Sequence, residues 1–296
     1  MACAQNRVGV SRNMFRIKTL YYEFASPKLL ALHPDIPTIT FRGAFGYALA
    51  QVIARDACVP GLEDQVELYR KFFMPVNDGE ENSRNHDLAR PFELRGFYSR
   101  EDKRSFILEV QLFGKAIEHE QLFDRVIEVI SYMGIGNQHQ VCHFEKLRSA
   151  ETTPEEPQGG DRLRVCFLTP CVRLKSGGTL YDDFIPFHAL LPRLIDRLTE
   201  LDNLYGDGGF EREWDIGMMK RESRMIAGSL EAGVVRTTRR VSGRTKQEMH
   251  LKGFLGKMLY EGDFTPYLPP LKYLPYVNIG RFNVFGCGWC TLQFLS

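Results

Sequence analysis

Three glycines and an arginine, Gly280, Arg281, Gly286 and Gly288, crowd the segment between Tyr276 and Trp289 near the end of a 296-residue chain. Glycine has no Cβ, so such a segment lets the backbone approach a polyanion, or another backbone, where a side chain would block it. Upstream stand Arg236, Arg239, Arg240, Arg244, Lys246, Lys252 and Lys257, opposed before Glu261 only by Glu248. Cations along a two-stranded ribbon suit a phosphate backbone, because each neutralised phosphate releases condensed counterions. Tyr260, Tyr267, Tyr273 and Tyr276 follow as candidates for base stacking, which favours RNA.

Proton transfer near neutral pH is the province of histidine. His33 lies in a proline-rich loop before a helix pattern, whereas His139, His143 and His250 fall where a structural role fits better. Arg42 belongs to the first turn of that helix. A cation there opposes the helix dipole unless an anion sits between it and the free amides.

Other chemistries find less support. Asp182 and Asp183 precede a helix start, where capping explains them, and no carboxylate constellation of a metal nuclease is present. There is no phosphate-binding Walker loop. Cys287-Gly288-Trp289-Cys290 has redox spacing but lies late in a strand pattern, and no second Cys or His pair completes a zinc site. Seven scattered cysteines suggest no disulfide framework, so neither a metal nor a cofactor is expected. No apolar run is long enough to span a membrane and the start lacks a secretory signal, which predicts a cytoplasmic protein with no membrane partner. Lys and Arg number 38 against 37 Asp and Glu, so it is the distribution of charge, not its sum, that points to nucleic acid.

The elements that must position these residues follow from periodicity. Residues 15–24 alternate as a half-buried strand, a helix capped by Thr38 or Thr40 runs through 41–53 with Phe41, Phe45, Ala48, Leu49 and Val52 on one face, and 54–89 read as irregular. Strands at 91–98 and 105–113, a helix at 118–133 and a strand at 138–147 complete the order strand, helix, strand, strand, helix, strand. The segment 149–160 reads as a linker. A strand at 164–169, a helix at about 186–205 with Pro192 inside, long strands at about 224–241 and 245–261, a proline-interrupted segment at 264–276 and a last strand at 289–295 repeat the pattern with a degraded second helix. The expected fold is therefore α+β, with two tandem ferredoxin-like (βαββαβ, RRM-like) domains, residues 1–150 and 161–296, and a C-terminal glycine-rich loop.

Short segments in a specific order carry a further likeness: Phe41-Arg42-Gly43-Ala44-Phe45-Gly46, Pro91-Phe92, Leu112-Phe113-Gly114-Lys115-Ala116, Gly134-Ile135-Gly136, Phe167-Leu168-Thr169-Pro170 with Arg173-Leu174-Lys175, Leu251-Lys252-Gly253-Phe254-Leu255-Gly256, and Gly280 through Gly288. Through them nearly the whole chain resembles the CRISPR precursor-RNA-processing endoribonuclease family of the RAMP superfamily. The resemblance implies metal-independent cleavage of CRISPR repeat RNA to mature guide RNAs, the 2′-hydroxyl attacking the adjacent phosphate to leave a 2′,3′-cyclic phosphate. It implies a catalytic histidine near the first helix helped by tyrosine or lysine, for which His33, Arg42 and Tyr22 are the candidates. Members often carry a histidine just before the final glycine loop, where this chain has Asn278. That departure supports an alternative: a non-catalytic RNA-binding subunit that holds guide RNA among other CRISPR effector subunits. In either reading the basic hairpin and Gly280, Arg281, Gly286 and Gly288 are expected to cradle RNA.

Overall fold

The computed structural model describes residues 15–55, 62–73, 88–136, 138–176, 178–241 and 247–295. In the first half, β1 (Ile17–Ala25), α1 (Thr38–Arg55), α2 (Leu62–Phe73), β2 (Phe92–Tyr98), β3 (Ser105–Phe113), α3 (Glu120–Met133) and β4 (His143–Thr152) follow in order. The strands form one antiparallel sheet, β2-β3-β1-β4. Alternation turns Leu20, Tyr22 and Phe24 of β1 towards the helices, where Phe41, Phe45 and Leu49 of α1 meet Phe123, Val126 and Ile130 of α3.

The second half contains β5 (Arg162–Val172), a small hairpin of β6 (Leu174–Ser176) and β7 (Thr179–Tyr181), α4 (Phe187–Tyr205), α5 (Phe210–Glu213), α6 (Ile216–Glu222), β8 (Ala227–Val241), β9 (Glu248–Glu261), α7 (Leu268–Leu271) and β10 (Cys290–Leu295). Its antiparallel sheet runs β10-β5-β9-β8. Each sheet thus places its fourth strand beside its first, then its third, then its second, which is the ferredoxin-like order. The fold is two such units in tandem. α4 buries Phe187, Leu190, Leu191, Leu194 and Leu198 against the second sheet despite Pro192, and the single-turn α7 stands where a full second helix would. No helix among the described residues is long and apolar enough to cross a membrane.

Several local expectations change. The stretch at 54–89 contains α2, whose Phe72 is fully buried. β4 begins five residues later than its periodicity indicates, because Gly134, Gly136 and His139 take positive φ and an isolated bridge, Ile135 to Gln140, closes a tight turn there. Asp182 and Asp183 do not cap α4, which starts after Pro186. Asp182 pairs with Lys252 at 2.6 Å and Asp183 accepts the Phe184 amide.

A buried polar clamp joins the halves. From β2, Glu93 and Arg95 reach the segment leading to β10: the Arg95 Nε donates to the Asn278 side-chain oxygen at 2.8 Å, another Arg95 nitrogen donates to the Pro275 carbonyl at 2.6 Å, and the Asn278 amide donates to Glu93 at 2.8 Å. Arg197 of α4 donates to the other Glu93 oxygen at 2.9 Å. Glu93 and Asn278 are fully buried and Arg95 nearly so. Burial pulls the Arg95 pKa below the ordinary arginine value, with the Glu93 charge the foremost opposing influence; its guanidinium stays protonated. Asn278 also donates to the Asn283 carbonyl at 3.1 Å, and Asn283 returns a bond to the Asn278 carbonyl. One asparagine therefore braces the loop at both ends.

The glycines of that loop serve the same docking. Gly280, Gly286 and Gly288 all have φ between 79° and 96°. A methyl group on Gly286 would overlap the Thr38 hydroxyl and crowd the Leu94 carbonyl, one on Gly288 would overlap the Ile279 carbonyl, and one on Gly280 would lie 2.7 Å from the Val172 carbonyl. Gly286 and Gly288 are buried. The backbone that needs the missing Cβ is the protein's own.

Two stability effects follow. Arg95→Met leaves a buried carboxylate short of a partner and is expected to cost about 3–5 kcal/mol in urea unfolding, much of it regained in the Glu93→Gln/Arg95→Met double variant; a single-variant loss under about 1 kcal/mol contradicts the clamp. Gly286→Ala combines left-handed strain with overlap and is expected to cost at least about 2 kcal/mol, whereas Gly43→Ala, with open space at its Cβ, changes stability little or favourably.

Candidate active site at the junction of the two halves

Four segments meet where the clamp brings the second half against the start of α1. They are the loop 32–37, the first turn of α1, the end of β8, and the short turn Asn283–Phe285. Ile36 and Ile39 pack there with Val172, Leu251 and Cys287, and Phe282 and Phe285 lie over this small apolar seat. The Thr38 hydroxyl donates to the Phe285 carbonyl at 2.6 Å.

His33 is held on both ring nitrogens. The amides of Asp35 and Ile36 donate to Nδ1, each at 3.3 Å, and Nε2 lies 3.0 Å from the Arg239 carbonyl of β8. Amides only donate and a carbonyl only accepts, so the ring carries its proton on Nε2. The His33 amide donates to the Thr40 hydroxyl at 2.9 Å, tying this loop to α1. Beside it, the Thr238 hydroxyl donates to the Asp35 carboxylate at 3.2 Å.

Two guanidiniums flank Phe285, Arg240 at 4.4 Å and Arg42 at 5.7 Å from the ring centre, and Arg42 also lies 3.8 Å over the Phe73 ring. Burial lowers the Arg240 pKa from its ordinary value without removing its charge. Arg42 is nearly buried, so it is neither an exposed arginine nor a helix-end ornament. Two cations and an imidazole thus converge on one junction. Such a set can stabilise a crowded, doubly charged phosphate and exchange a proton beside it.

The hairpin does not present one basic face. Side chains alternate along a strand, so the pairs Arg236/Gly253, Thr238/Leu251 and Arg240/Met249 face the junction, while Thr237/Lys252, Arg239/His250 and Val241/Glu248 face the other way. On that outer face Arg239 pairs with Glu248 at 2.7 Å, which raises the arginine pKa and lowers that of the acid, and His250 lies 3.0 Å from the same carboxylate. Exposed pairs of this kind are worth under about 1 kcal/mol, so a phosphate can displace them. Lys257 and Arg236 are exposed, as is the Arg281 side chain, whose backbone bridges to Val172. Arg244 and Lys246 lie outside the described residues.

Tyr22 is not at this junction. It is buried in the first core and donates its hydroxyl to Asp124 at 2.6 Å, and burial, then the Asp124 bond, raise its pKa. Tyr260, Tyr267 and Tyr273 are likewise buried in the second core and cannot stack on bases; Tyr276 is half-buried. Gly286 and Gly288 face protein, so a direct RNA contact does not follow from their being glycine. Cys287 and Cys290 are buried thiols pushed up to about 12 by burial, which leaves the motif inert as a nucleophile. Among the described residues no group of three or more His, Cys, Asp or Glu is placed to hold a metal ion. Sequence reading missed Asp35, Thr238 and Phe285. A proline on each side of Asp35-Ile36 was the available sign of a stiff loop; nothing marked Thr238.

Residues 15–162 match the model of an N-terminal domain family, AF_1859_N, and residues 165–290 match that of the CRISPR-associated endoribonuclease Cas6. No curated protein is significantly similar in sequence. Solved structures that resemble the chain include CRISPR RNA processing endoribonuclease Cas6b, with 12% identity over 93% of this chain and 100% of that one at a TM-score of 0.31. Cas6e from Escherichia coli K-12 has 12% identity over 94% and 100% at 0.32, and Thermus thermophilus Cse3 bound to an RNA representing a pre-cleavage complex has 13% over 94% and 100% at 0.32. Likeness at this level transfers neither residue roles nor ligands. The second half of the chain, residues 165–290, therefore matches the CRISPR-associated endoribonuclease Cas6 family, on a tandem ferredoxin-like fold.

Proposed function

We propose that the chain cleaves CRISPR repeat RNA without a metal ion, at the junction where His33, Arg42 and Arg240 converge, within two domains spanning residues 1–150 and 161–296. The 2′-oxygen attacks the adjacent phosphorus and loses its proton to a base, the bond from phosphorus to the 5′-oxygen breaks, and that oxygen takes up a proton. The products are a 2′,3′-cyclic phosphate and a 5′-hydroxyl. His33 is the residue that moves protons. Arg42 and Arg240 face the charge that builds on the phosphate, and Arg236, Lys257 and Arg281 hold the flanking RNA backbone, with Arg239 and Lys252 joining them by exchanging Glu248 and Asp182 for phosphates.

The observation that carries this reading is the convergence itself: a histidine and two arginines drawn from both halves, on a chain whose second half belongs to an RNA-cutting family. The alternative, a subunit that binds guide RNA without cutting it, is favoured by one observation. Asn278 is locked into the clamp, its side-chain oxygen accepting from Arg95 and its side-chain nitrogen donating to Asn283, and an amide is no proton-transfer group at the position where the resemblance implies a histidine.

Labelled repeat RNA separates the two. Cleavage is expected to continue in EDTA, to stop when the scissile nucleotide is 2′-deoxy, and to slow by about 10²-fold or more in single turnover for His33→Ala. Arg240→Ala is expected to slow it by about 10-fold or more. Cutting of the deoxy substrate contradicts the mechanism, an unchanged His33→Ala rate removes that residue, and tight binding without cleavage at any pH establishes the alternative.

A further inference from the structure

In the free protein both ring nitrogens of His33 are already engaged. Nδ1 offers its lone pair to the Asp35 and Ile36 amides, and the Nε2 proton is directed at the Arg239 carbonyl. A neutral imidazole held this way is neither base nor acid for a substrate, since its lone pair is turned into the protein and its proton is given to β8. The groups that hold it come from opposite halves of the chain. The loop is stiffened by Pro34 and Pro37. Besides the His33 bond, the strand is fastened to this loop by the buried Thr238 hydroxyl, which donates to the exposed Asp35 carboxylate at 3.2 Å.

Two features make this fastening reversible. Among the described residues, the polar contacts between loop 33–35 and the end of β8 are the Thr238–Asp35 and His33–Arg239 bonds, and one partner in each is a solvent-accessible group. The apolar seat beneath, Ile36 against Leu251 and Cys287, makes no part of those two bonds, although Leu251 is the ladder partner of Thr238. The strand that must tilt also carries Arg236, Arg239 and Arg240, so a polyanion that engages it pulls on the carbonyl that holds His33.

We propose that the end of β8 is a latch: docked as here it keeps His33 silent, and RNA that engages the hairpin frees the imidazole by drawing Thr238 and Arg239 away from Asp35 and His33. This rests on the reading of His33 as the proton-transfer residue. The latch makes activity depend on RNA long enough to reach the hairpin, which gives the enzyme selectivity for repeat RNA over short oligonucleotides that merely fit the junction.

The test uses the full chain with ¹⁵N-labelled histidine and two variants, the near-isosteric Thr238→Val and the surface change Asp35→Ala. Without RNA, the wild-type His33 ring is expected to show the Nε2–H tautomer; adding 2′-deoxy repeat RNA, and either substitution alone, is expected to convert it to an exchanging mixture. In single turnover, a short oligoribonucleotide spanning the scissile phosphate is expected to be cut at least about 5-fold faster by the variants than by the wild type, while the full repeat at saturation is cut within about 2-fold of the wild-type rate. A ring signal that stays Nε2–H with RNA, or in both variants, overturns the latch; so does a short substrate cut no faster by either variant. A His33→Ala protein that cuts the full repeat at the wild-type rate instead overturns the catalytic reading, and the latch is then judged by the ring signals alone.

Discussion

Glu93 is a carboxylate with no access to water, and the junction depends on how its charge is met. A buried charge is costly unless it is paired and fully hydrogen-bonded. Here Arg197 supplies one partner, the Asn278 amide another, and Arg95 a second cation 3.9 Å away. These groups come from β2, from α4 and from the segment leading into β10, so the charge is satisfied only when the two halves are docked. Sheet, helix and loop are fixed relative to one another by one electrostatic requirement. The loop so fixed carries Phe285 to the start of α1 and closes the junction.

Docking explains why residues far apart in the chain form one chemical set. The first unit contributes His33 and Arg42; the second contributes Arg240 and the aromatic ring that both guanidiniums flank. Neither half holds the set alone. The same docking takes the glycine loop out of direct service to a ligand, since Gly286 and Gly288 are spent on protein backbone, and leaves Arg281 as the loop's exposed cation.

The tandem ferredoxin-like order was legible because strands of period two and helices of period 3.6 alternate in the chain with little ambiguity. α2 escaped because it stands in a polar stretch that dilutes its pattern around Phe72. The cations of the hairpin were legible singly but not as a surface; applying the two-residue period to positions 236, 239, 240 and 252 separates the junction-facing pair from the outward one. Glycine is ambiguous in principle, because a close approach to RNA and a close approach to Thr38 or Ile279 demand the same missing Cβ. Tyr22 and Tyr21 are neighbours on opposite faces of β1, and only the placement of α3, with Asp124 over Tyr22, decides which one is buried. Thr238 and Asp35 stand 203 residues apart, and no local pattern links them.

Cooperation of the two halves in handling RNA is the central claim, and hydrogen–deuterium exchange with a 2′-deoxy repeat RNA measures it most directly. The account predicts that binding alters exchange together in loop 32–37 and the start of α1 from the first half and in residues 236–241 and 281–286 from the second. Changes confined to the second half, with loop 32–37 and α1 exchanging as in the free protein, would contradict it.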